Sequence, residues 1–186
     1  MKGLLLSLMA LAVQAAESSV TDINEEVTRK IVLDQFSVLE IISDIRFKSA
    51  SSQTSTNYYF TVPRNLDYNL VNLKAEDAIT GDEFDIIRLD TIPASVLSLY
   101  TKKNASDVIF FRITLKLSKG SAAFVVKELY KRRKTPFPSV ISIRENEEQL
   151  IKFVDSKYLL SLYPTKSQRL VINYDTNAFL YFECLS

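Results

Sequence analysis

Between residues 108 and 117 the side chains alternate so regularly that an extended backbone is the natural way to sort them. Ile109, Phe111, Ile113, Leu115 and Leu117 fall on one side, and Arg112, Thr114 and Lys116 on the other. Successive side chains of a strand point to opposite faces, so this spacing gives one buried face and one wet face. The stretch reads as the longest strand of the fold, with Phe111 and Ile113 inward and Arg112 and Thr114 outward. Leu39, Ile41, Ile45 and Phe47 repeat the pattern against Glu40, Asp44, Arg46 and Lys48.

β-Branched and aromatic runs suggest further strands at 27–33, 58–62, 70–73, 86–89, 124–130, 170–172 and 179–182. Pro63 stops the run at 58–62, since proline cannot continue a ladder. The Ser/Thr/Gln-rich stretch 49–57 reads as a mobile loop, and Thr80-Gly81-Asp82-Glu83 and Lys119-Gly120-Ser121 as turns. Residues 93–100 read as a short helix with Pro93 in its first turn. With only three glycines in the chain, Asn, Asp and Ser must serve most turns. Short strands at even spacing predict an all-β fold, an antiparallel β-sandwich with at most one short helix.

The chain begins Met1-Lys2, runs apolar from Leu4 to Val13 and reaches Gln14-Ala15-Ala16. A positive start, a short apolar core and small residues form the pattern of a secretory signal peptide, expected over 1–15. The run is too short to span a bilayer, which needs roughly 20 apolar residues. That leaves 16–186 as one domain, and a domain of about 150 residues buries roughly 70% of its unfolded surface without staples. Cys184 is the single cysteine, so no disulfide can form within the chain.

Composition restricts the chemistry sharply. The chain has no histidine, which removes Ser-His-Asp and Cys-His nucleophile machinery and any His-ligated metal site. We therefore expect no catalytic residue, no metal ligand and no cofactor, and Cys184 reads as packing. Asp82, Glu83 and Asp85 cluster, as do Glu145, Glu147 and Glu148; paired carboxylates can act as acid and base on glycosides, but both groups read as solvated turns. A net charge of +1 argues against a nucleic-acid partner. Lys131-Arg132-Arg133-Lys134 is the one charge run; it reads as a solvated strand end or as a contact for phospholipid headgroups or an acidic subunit face. Asn104-Ala105-Ser106, in a polar stretch, is an N-glycosylation acceptor triplet.

A less common order of residues lies between 131 and 170. Pro136-Phe137-Pro138 leads to a paired segment, Ile141 and Ile143 facing Ile151 and Phe153 across a polar turn at 144–148, and then to Tyr163-Pro164-Thr165-Lys166-Ser167-Gln168. Near the start stand Ile23-Asn24-Glu25-Glu26-Val27 and Arg29-Lys30-Ile31-Val32-Leu33. In this order and spacing the two anchors resemble the lumenal N-terminal domain of ribophorin I, a subunit of the oligosaccharyltransferase complex. The resemblance covers most of the chain beyond its leader, in a short form lacking the second lumenal domain and the membrane anchor, either a fragment or a naturally shortened version.

What the resemblance implies is an accessory, non-catalytic subunit, held in the endoplasmic reticulum lumen at the membrane through its complex. Its partners would be other oligosaccharyltransferase subunits, including the catalytic one, and nascent polypeptide. The absence of tryptophan means that the Trp-Trp-Asp signature of the catalytic subunit is not carried here. The corner Tyr163, Pro164, Thr165 and Lys166 has two readings that can coexist, a strand end with Tyr163 at the core edge and a contact for another subunit. The alternative to the subunit is a free secreted β-sandwich recognition module.

Overall fold

The alternation around Ile41 and Ile45 builds the middle strand of a five-stranded sheet. The computed structural model describes residues 21–33, 38–91, 93–94, 96, 107–131, 135–137, 150–152, 155–156 and 158–174. Its elements are β1 (Ile23–Leu33), β2 (Val38–Lys48), β3 (Ser55–Pro63), α1 (Arg64–Asp67), β4 (Leu70–Asp77), β5 (Ile86–Leu89), β6 (Val108–Lys116), β7 (Ser121–Lys131), β8 (Thr135–Phe137), β9 (Leu150–Lys152) and β10 (Thr165–Tyr174). One sheet runs β10-β1-β2-β7-β4, a second β3-β6-β5, and β8 pairs with β9.

The two larger sheets pack face to face. Val27, Ile45 and Phe124 share one cross-strand row of the five-stranded sheet, and they join Tyr58, Phe60, Ile113 and Leu115 of the other sheet in one core cluster. Farther along, Ile31, Leu39, Ile41 and Tyr130 form a second cluster, with Leu66 and Leu70 packed against both. On β2, Leu39, Ile41, Ser43, Ile45 and Phe47 are buried, the face that the alternation predicted. On β6 the alternation holds from Arg112 onward, with Ile113 and Leu115 buried and Thr114 and Lys116 exposed. Phe110 and Phe111 are both buried, because the outward face there is also covered. Phe110 pairs with Thr61, whose hydroxyl donates to the Leu160 carbonyl.

Several expectations need correction. Pairing is antiparallel except between β1 and β10, which run parallel over Asn24–Leu33 and Thr165–Tyr174. Strand direction depends on which end of the sheet the chain enters, and local periodicity carries no such information. The pairing not foreseen is that of Ile151 with Pro136, within β8; the expected hairpin-like pair of Ile141 and Ile143 with Ile151 and Phe153 falls largely on residues that are not described. Ile141 and Ile143 lie outside the described residues, as do 1–15, Asn104, Glu145, Glu147, Glu148, 179–182 and Cys184.

The polar stretch 49–57 is structured. Asp22 accepts from the Ser49 hydroxyl at 3.0 Å and the Ala50 amide at 2.7 Å, and β3 already begins at Ser55. Its small polar side chains cap backbone donors instead of leaving them to water. A helix that the sequence pattern did not mark, α1, follows Pro63. Ala94 and Val96 are helical as expected, with the Val96 amide donating to the Pro93 carbonyl at 2.9 Å; the other residues of 95–100 lie outside the described set. Lys119 and Gly120 both have positive φ, 52° and 77°. That is the two-residue turn type suited to a tight reversal, here passing the chain from one sheet to the other.

Candidate functional site

Asn24 sits beside a bulge in β1, where Asn24 pairs with Phe47 and Glu26 with Arg46, and it is fully buried. A bulge re-aims side chains and frees ladder groups. Here the Asn24 amide donates to the Pro164 carbonyl at 2.8 Å. Its side chain donates to Ser161 Oγ at 3.0 Å and Thr165 Oγ1 at 3.3 Å, and accepts from the Tyr58 hydroxyl at 3.3 Å. One asparagine thus spends both donors and its acceptor on three residues in two segments distant in sequence.

Tyr163 completes the corner. Pro164 biases the residue before it toward extended geometry, and the ring of Tyr163 turns inward to 5% exposure. It stacks on Tyr58 with centroids 4.6 Å apart and meets Phe47 edge-on at 5.1 Å. Its hydroxyl accepts from the Tyr59 amide at 3.1 Å, closing the open edge of β3, which the chain also bridges between Phe60 and Ser161. The segment 159–165 is therefore a strap that ties the edge of one sheet to β1 of the other before continuing as β10.

The four residues read as a possible contact separate cleanly. Tyr163 is core, Thr165 is half-buried and bonded to Asn24, while Pro164 and Lys166 are exposed. Lys166 has only a long 3.9 Å approach to Glu25. Asp82, Glu83 and Asp85 are exposed. Glu83 is engaged by Lys74 at 2.9 Å, which holds its carboxyl below the usual range. Lys131 is exposed, its amide donating to the Asn69 carbonyl; Arg132, Arg133 and Lys134 lie outside the described residues. No group of three or more metal-ligating side chains occurs among the described residues.

Sequence reasoning missed one buried polar pair. Arg29 is 6% exposed and meets Asp155 at 3.0 Å, while its other terminal nitrogen donates to the Ser156 carbonyl. The signal was available, since Val27, Arg29 and Ile31 share a face of β1 at period 2. Glu128 is likewise buried on the inward face of β7, accepting from the Tyr130 hydroxyl.

Burial pushes the Tyr58 and Tyr163 phenols well above their ordinary value. An unfolded tyrosine ionises near pH ~10. Above that pH the unfolded chain loses protons that the folded chain still holds, so the contribution to stability is complete below about pH 10 and declines as pH rises further. Urea unfolding at about pH 8 and about pH 11 should show this fall, and Tyr163→Phe should have a shallower slope than wild type. Equal slopes in the two proteins would remove Tyr163 as its source.

These elements define a two-sheet β-sandwich domain whose first and last described strands are locked side by side through a buried asparagine. The ribophorin I family model matches residues 23–185, and the chain belongs to that family. No individual curated protein matches it. Among solved structures, a protein from Parabacteroides distasonis ATCC 8503 described as a candidate protease aligns at 7% identity over 64% of this chain and 26% of its own, with a TM-score of 0.26. The chain spans about a quarter of that protein's length, and so loose a likeness carries no argument.

Proposed function

We propose that this chain is an accessory, non-catalytic subunit of the oligosaccharyltransferase complex, which transfers a preassembled glycan from dolichol diphosphate to Asn in Asn-X-Ser/Thr of nascent polypeptides. The observation that carries the reading is the family match over residues 23–185. Its physical counterpart is the β1–β10 pair. The two motifs that carry the resemblance, at 23–27 and 163–168, are remote in sequence yet pair as Asn24 with Thr165 and Glu26 with Ser167.

In this reading residues 1–15 are a removed leader and 16–186 one domain in the endoplasmic reticulum lumen, carrying a glycan at Asn104. No helix among the described residues is long and apolar enough to cross a membrane, and membrane association comes through the complex. The other subunits, the catalytic one included, and nascent polypeptide are the partners. Pro164 and Lys166, exposed beside the buried Tyr163, are the contact residues on this corner.

The test is co-purification of the tagged chain with the catalytic subunit from membranes solubilised in mild detergent. Wild type should bring it down, and Lys166→Glu should bring down less while keeping its melting temperature, since exposed substitutions usually change stability by under ~0.5 kcal/mol. A chain recovered free in the medium, with no catalytic subunit in the pull-down, would replace this reading with a secreted recognition module.

A further inference from the structure

Beside the strap, on the outward face of the three-stranded sheet, lies an open cleft of ≈370 Å³ lined by Gln53, Ser55, Thr56, Asn57, Tyr59 and Thr114. Register builds it. Asn57 faces Thr114 across β3 and β6, so β3 supplies most of the lining and β6 contributes Thr114. Gln53 comes from the stretch that enters β3 and Ser55 is the first residue of that strand; the entering stretch is held in place. The Ser51 amide donates to Ser49 Oγ, the Gln53 amide to Ser51 Oγ, and the Thr54 carbonyl accepts from the Leu117 amide at 2.7 Å.

The lining has a narrow chemical meaning. Five of its six residues are amides or hydroxyls, no lining residue is charged, and the sixth is an aromatic ring with a polar tip. Small-molecule pockets are ordinarily mostly apolar, and this one is not. A cation would need carboxylates and an anion would need a cluster of cations. Side chains that both donate and accept suit a neutral ligand that also does both, and the half-buried Tyr59, packed against the core cluster on one side, is the aromatic member of the lining. The Thr114 hydroxyl donates to Asn57 Oδ1 at 3.2 Å, which fixes the amide oxygen and leaves the side-chain N–H donors of Asn57 unspent by that bond. Next to it, Arg112 holds an Nε shielded from solvent with no bonded partner.

We propose that this cleft binds a neutral polyhydroxylated ligand, a glycan, with one sugar ring against Tyr59 and its hydroxyls bonded to Asn57, Thr114 and Gln53. The inference rests on the chemistry of the cleft and goes beyond the proposed subunit role.

The purified full chain is titrated with N,N′-diacetylchitobiose, with mannobiose and with an uncharged blocked tripeptide while its backbone amide resonances are followed. At least one saccharide should shift the resonances of Gln53, Asn57, Tyr59 and Thr114. Asn57→Ala, at an exposed position, and Tyr59→Ala should each weaken that binding about tenfold or more. The Asn57→Ala chain should still co-purify with the catalytic subunit, which separates this site from the subunit reading. Saccharides that shift nothing, shifts that map elsewhere, shifts that survive both substitutions, or a response to the tripeptide alone would each overturn the proposal.

Discussion

Tyr163→Ala is expected to destabilise the domain by ~3–5 kcal/mol, the range for truncating a large buried aromatic side chain. Three losses combine at this position. The ring leaves a cavity where it stacked on Tyr58 and met Phe47. The Tyr59 amide loses its acceptor, and an orphaned buried donor costs about 1–3 kcal/mol by itself. The strap also loses its inward anchor, so the Asn24 contacts to Ser161 and Thr165 lose part of their support. Tyr163→Phe keeps the ring and removes only the hydroxyl, and should cost about 1–3 kcal/mol. Urea denaturation of the three proteins checks both figures. A Tyr163→Ala chain with wild-type stability but poor co-purification would show that the ring serves a partner and not the core. The structure predicts the reverse order, with loss of fold preceding any loss of binding.

The second large effect is expected at Asp155. Both partners of the Arg29–Asp155 pair have side chains 8% exposed. Removing the acid by Asp155→Ala strands a guanidinium inside the sandwich, and breaking a buried pair this way costs ~3–5 kcal/mol. Replacing both, as Arg29→Met with Asp155→Ala, should recover most of that loss, because the desolvation of the charge disappears with the charge. The comparison is made by thermal and urea unfolding of the wild type, the single variant and the double variant. A double variant as unstable as Asp155→Ala alone would show that the pair is not what holds the 155–156 segment against β1. Arg29 faces Ser43 across β1 and β2, and Ser43 Oγ and Arg29 Nε are both shielded without a bonded partner. This part of the inner face is thus polar ground inside an otherwise apolar core, where uncompensated changes are felt strongly.

Period-2 alternation made the strands legible. Where one face of a strand is buried and the other wet, as on β2 and the later half of β6, side-chain order alone states both the conformation and the inward face. It was legible, too, that the motifs near Asn24 and Tyr163 belong together in one family. Arg29 and Glu128 lie at period 2 from buried apolar neighbours, a signal that was not read, and the structure buries both.

Tertiary structure alone decided the rest, because those features depend on contacts between residues far apart in the chain. The parallel direction of β10, the partner of Ile151 and the covering of Thr61 and Phe110 by the strap have no local signature. The polar stretch 49–57 looks like a free loop in sequence because its order comes from Asp22, more than two dozen residues away. Tyr163 is the clearest instance. By itself, Tyr-Pro-Thr-Lys is compatible with an exposed docking corner or a core edge. What turns its ring inward is the space between Tyr58 and Phe47 and the unpaired amide of Tyr59, and that space exists only once two sheets have come together.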